Sequence, residues 1–268
     1  MSKAVKIIVA MVASITVFVA LVRREVLHDS PLEKDKRHAD EIEKLHSDWR
    51  SEKKRDFTRD GTTHVETSIN LLNQVGNLVD RIASENQADS GPIREVATVL
   101  TELKQRLQRV RALDARVESE SPMNVSTVKT KDDLQARRDL LREMLQTNQE
   151  LRVFRDSLES KFRHALQNAG VSGESLENSM SVLTSKFQRG GKNRVRLEKA
   201  NDVWAASAIA MMDLLDAEWG TWRFADNKIA FDQDDAARRY NDMADANVKA
   251  SGELVAAHRE LAELLLAK

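Results

Sequence analysis

The chain has 268 residues with 42 Lys and Arg against 43 Asp and Glu, so the net charge is −1 and no whole-molecule field favours nucleic acid. Aromatics make up 4% and Pro only three residues, which is the usage of long helices rather than sheets. With no Cys, disulfides, thiol nucleophiles and thiolate metal sites are excluded.

The first element is an apolar run, Ile7 to Val22, carrying no charge and framed by Lys3 and Lys6 before it and by Arg23 and Arg24 after it. A spanning helix needs about 20 mostly apolar residues, and a start at Ala4 nearly reaches that if Lys6 snorkels to the headgroups. Residues 4–22 are therefore read as a single transmembrane anchor, with Ile7, Val12, Phe18 and Val22 along it. A cleaved signal peptide is the rival reading, but Leu21-Val22-Arg23-Arg24 offers no small-x-small cleavage site. An interfacial helix would need a polar face, which the run lacks. Counting Lys and Arg on either side favours a single-pass protein of a bacterial-type inner membrane, with the long domain in the cytoplasm. Anchors with a basic start also deliver chains outward, which keeps a periplasmic domain open.

Residues 23–60 hold eleven basic and eleven acidic side chains and few apolar ones, among them Ile42, Leu45, Trp49 and Phe57. Ser30-Pro31-Leu32-Glu33 is a capping box, so the segment reads as a charged helical stalk. A short coiled-coil seam through Ile42, Leu45 and Trp49 is the alternative. Glu43-x-x-His46 has the spacing of a di-iron helix, but it lies in the charged stalk and no metal site is expected.

The remainder, 61–268, reads as an antiparallel helical bundle. Apolar residues recur at steps of three and four in five long segments. They run from Val65 to Ile82, from Ile93 to Val117 (interrupted by Asp114), from Leu134 to Leu166, from Leu197 to Trp219 and from Tyr240 to Leu264. Two of these, Ile93–Val117 and Tyr240–Leu264, approach coiled-coil heptads. A shorter helix carries Leu176, Met180, Leu183 and Phe187, and Gly170, Gly190-Gly191 and Gly220 mark helix ends. Thr130 with Asp133 predicts a cap for the long Leu134–Leu166 helix, and Asp232 a cap for the last one. Between Trp219 and Asp232 the pattern changes to alternation about Asp226-Asn227, which predicts a small β-hairpin over 221–231.

Two surface features are candidate sites. Trp219, Trp222, Phe224 and Phe231 concentrate aromatic area at the hairpin and form a candidate partner-binding tip, unless the hairpin folds back and plugs the bundle. Lys186, Arg189, Lys192, Arg194 and Arg196 surround Gly190-Gly191 and form a candidate anion or lipid contact. Lys192 follows two glycines, but the residue after it is Asn193 and no strand precedes it, so a phosphate loop is not read here. Asn124-Val125-Ser126 matches a glycosylation triplet that chance often supplies. No catalytic pattern stands out, no cofactor is expected, and interleaved aromatics of a nucleic-acid surface are missing. The expected function is a membrane-anchored helical interaction or scaffold protein with a protein partner or self-association. The alternative is an extracytoplasmic ligand- or stress-sensing bundle.

Overall fold

The computed structural model describes residues 40–266 except 42, 43, 46, 56–64, 86–89, 169, 189, 190 and 227. The proposed anchor, with Ile7, Val12, Phe18 and Val22, lies outside the described residues, as does the Ser30–Glu33 capping box. No described helix is long and apolar enough to cross a membrane. The described chain is mostly helical with one two-stranded antiparallel sheet.

The helices are α1 (residues 40–55 where described), α2 (Val65–Glu85), α3 (Ser90–Glu120), α4 (Lys131–Asn168), α5 (Gly173–Gln188), α6 (Gly191–Ala217) and α7 (Asp234–Leu266). A single 3₁₀ turn, Val125–Thr127, lies between α3 and α4, and strands β1 (Trp222–Ala225) and β2 (Lys228–Phe231) lie between α6 and α7. The chain divides into two compact units, one made of Val110–Glu150 and Lys192–His258, the other including residues 40–109, 151–191 and 259–266.

In the second unit the apolar stripes are buried as expected. Leu72, Val75 and Val79 of α2, Leu100, Leu103 and Leu107 of α3, and Phe154, Leu158, Phe162 and Leu166 of α4 are all core. Lys161 Nζ lies 3.1 Å from Glu102 and Asn168 donates to Glu95 at 2.9 Å, so α3 and α4 run antiparallel here. The Arg106 guanidinium stacks 4.6 Å from the centre of the Phe154 ring. The charged segment is helical where described, but one face of α1 is buried: Trp49 is 6% exposed and Lys53 fully covered. The four-carbon stem of a lysine packs like an apolar side chain. Helix α4 ends in a Schellman turn, with Gly170 at φ +80° and Val171 N–H donating to Leu166 O at 3.0 Å.

In the first unit, Arg116 donates to Glu143 at 2.8 Å, Arg138 to Asp213 at 2.8 Å and Arg196 to Glu253 at 3.1 Å. A second contact runs the opposite way along each pair, Arg137 with Ser121, Lys131 with Asp216 and Asn247 with Trp204, so the neighbours α3–α4, α4–α6 and α6–α7 are antiparallel. Leu113, Leu140, Met144 and Ala205 form one core cluster, and Val125, Leu134, Leu141, Ala208, Met212 and Leu215 another. The expected cap of α4 is a reciprocal box: Asp133 N–H donates to Thr130 Oγ1 at 3.2 Å and Thr130 N–H to Asp133 Oδ2 at 2.9 Å. Asn247 ties α7 to α6, its amide donating to Trp204 O and Ser207 Oγ, both at 2.9 Å. Asp232 does not cap α7, which begins at Asp234. Its N–H instead donates to Thr221 O at 2.8 Å and extends the hairpin ladder by one pair.

Candidate interaction site

The hairpin is positioned by the end of α6. Gly220, at φ +89°, takes the left-handed conformation that stops a helix, and Thr221 N–H turns back to Glu218 O at 3.0 Å. The strands pair Trp222 with Phe231, Arg223 with Ala230, Phe224 with Ile229 and Ala225 with Lys228. That register leaves two positions, 226 and 227, between the paired residues. Asp226 at φ +49° supplies the left-handed backbone that the strand twist demands.

Side chains alternate across a strand, so Trp222, Phe224, Ile229 and Phe231 share one face. Trp222, Ile229 and Phe231 pack on the cluster of Leu134, Leu141, Met212 and Leu215, together with Trp219 and Tyr240. The Trp219 and Trp222 rings meet edge to face at 5.7 Å, and the Phe231 and Tyr240 centroids lie 5.5 Å apart. The Trp222 indole donates to Leu215 O at 2.8 Å, and burial pushes the Tyr240 phenol above its ordinary pKa. Phe224 lies nearest the turn on the same face and remains 39% exposed. The hairpin thus folds back over the core, leaving Phe224 as the exposed aromatic of the four.

Of the basic cluster, Arg194 leaves the surface. Helical periodicity turns Arg194 inward, where it is 6% exposed, while Lys192 and Arg196 face outward and Arg196 pairs with Glu253. The side chains of Lys186 and Arg189 are outside the described residues. Among the described residues no group of His, Asp or Glu is placed to hold a metal ion. A groove of about 530 Å³ runs between α1 and α2 in the second unit, lined by Asp48, Glu52, Asn70, Asn73 and Gln74 among others.

Tyr240, Trp204 and the loop residues Met123 and Val128 join the hairpin cluster without having been singled out from sequence. Tyr240 was legible as a seam position, but its ring contact depends on where the hairpin lands. In comparison with known proteins, no family model matches the chain, and no curated protein or solved structure matches it.

Proposed function

We propose that the chain is a membrane-anchored helical interaction protein. The observation that carries this reading is the uncharged run Ile7–Val22 with its basic flanks, followed by a chain that is mostly helical where it is described. Residues 4–22 hold the protein at the membrane, and the helical part faces a protein partner in the cytoplasm. Phe224 supports the hairpin as the contact point. It is an exposed aromatic on a support made rigid by Trp222, Phe231 and Tyr240, and such a side chain gives contact area at low entropic cost.

A reporter fused after Lys268, active only in the cytoplasm, tests the orientation. Activity is expected; activity of an export-dependent reporter instead would reverse it. That reversal would favour the sensing alternative, for which the polar groove between α1 and α2 is the supporting feature.

A further inference from the structure

The hairpin has two open edges, and they are not alike. Asp232 N–H donates to Thr221 O at 2.8 Å, and bonded pairs alternate along an antiparallel ladder. Arg223 and Ala225 therefore bond to Ala230 and Lys228 across the hairpin. The N–H and C=O groups of Trp222 and Phe224 on β1, and of Ile229 and Phe231 on β2, point away from it. Among the described residues no third strand joins the sheet, and no main-chain group outside it bonds to these four residues. A row of unbonded edge groups is a template for another strand.

We infer that β2 takes the β2 of a second copy of this chain as its next strand, antiparallel and centred on Ala230. In that register Ile229 exchanges both main-chain bonds with Phe231 of the second copy, and Phe231 with its Ile229. Ala230 meets Ala230 of the second copy at the close, non-bonded position, about 4.5 Å between Cα atoms, where a small side chain fits. Lys228 stands opposite Asp232 of the second copy, and Asp232 opposite its Lys228. Both are exposed and share the outer face of the hairpin with Ala230. Asp232 keeps Arg223 of its own copy 3.5 Å away and is still 60% exposed, so it can face a second cation.

Charge order selects this register. A shift of two residues either way puts Ala230 opposite Lys228 or opposite Asp232, and forfeits the Lys228–Asp232 pairs. A shift of one turns the side chains to opposite faces. The pairing ends where the strand ends, since residues 226 and 227 turn back to β1 and the chain enters α7 at Asp234. The edge of β1 does not offer the same match. With Trp222 opposite Phe224 of a second copy, Arg223 would meet its own copy at the close position, where like charges repel. Growth therefore stops at two chains.

About four main-chain bonds and exposed ion pairs make a weak dimer in free solution. Holding both copies on one membrane raises their effective concentration. That gain rests on the anchoring proposed above; the pairing itself does not.

The chain has no Cys, so a single introduced thiol reports its own neighbours. Ala230→Cys and Ala225→Cys variants of the full-length chain are purified in mild detergent and oxidised gently. The two copies of position 230 fall within the Cα separation of a disulfide, whereas those of position 225 lie three strand spacings apart, about 14 Å or more. Ala230→Cys is expected to form covalent dimers roughly ten times faster than Ala225→Cys. Equal rates, or faster linking at 225, would overturn the inference.

A charge exchange tests the register without thiols. Lys228→Asp alone sets two acids against each other, and Asp232→Lys alone sets two lysines. Each variant is expected to dimerise about tenfold more weakly than the parent in sedimentation, and the two mixed are expected to regain parental affinity as a mixed dimer. Variants that dimerise like the parent, or a mixture as weak as either alone, would overturn the inference, as would a parent that stays monomeric at every concentration. Asp232→Lys also removes the partner of Arg223, but mixing does not restore that contact, so recovery reports the contact between copies. None of these results changes whether the chain sediments with membranes, so the anchoring reading is judged separately.

Discussion

Arg137 should be the side chain that holds the α3–α4 connection in place. Its Nη1 donates to the carbonyls of Asn124 at 2.6 Å, Ser121 at 3.2 Å and Pro122 at 3.3 Å, and its Nη2 donates to Thr127 Oγ1 at 2.6 Å. A hydrogen bond from a charged group contributes about 1.5–3 kcal/mol, but the bonds here are not additive. Two are long, and the Ser121 and Asn124 carbonyls lie on exposed residues that water can serve when the guanidinium is gone. Arg137→Ala should therefore cost about 2–3 kcal/mol, equivalent to two strong bonds and little more. For a chain of this size that is about 5–10 °C in Tm. Circular dichroism melting measures it, and amide exchange at Asn124–Thr127 should accelerate in the same variant. Arg137→Lys should recover less than half of the loss, since a point charge cannot span two acceptors as the planar fork does. A fall in Tm of under about 1 °C for Arg137→Ala would refute the reasoning.

Other outcomes follow from the hairpin and the charged pairs. Trp222→Ala should destabilise by about 2–3 kcal/mol in urea denaturation, below the usual cost of a buried Trp because the side chain is not fully buried. Phe224→Ser should stay within about 0.5 kcal/mol of the parent, since its ring is outside the core. Glu102 is pushed up by burial, but hydrogen bonds from Arg106 and Lys161, with their charges, outweigh this and hold its pKa below the ordinary 4.5. A carboxyl lowered in the folded state stabilises fully above 4.5 and less as the pH falls through its folded value. Glu102→Gln should accordingly flatten part of the acid limb of a stability-against-pH curve, and an unchanged limb would refute this. Asp133 behaves alike, lowered by the Lys129 and Thr130 amides, so Thr130→Ala should fray the start of α4 in amide exchange.

The core was legible because periodicity reports it directly. Leu134, Leu141, Met144, Leu151, Phe154, Leu158, Phe162 and Leu166 were read as one stripe and all are buried. The hairpin was legible because alternation about Asp226-Asn227 interrupts a helical chain. What escaped falls into two kinds. Polar residues inside the core, such as Asp114, Thr147, Asn148 and Arg194, break the apolar pattern that reveals burial, so a charge cluster including Arg194 looked like one surface. The clamp by Arg137 leaves no periodic trace, since its acceptors are main-chain carbonyls of an irregular loop.

Membrane attachment through residues 4–22 is the central claim, and extraction of membranes at alkaline pH tests it most directly. The full-length chain is predicted to remain in the pellet after extraction, and the same chain lacking residues 4–22 to appear in the soluble fraction. A full-length chain released by the extraction, or a deleted chain that still resists it, would contradict the account.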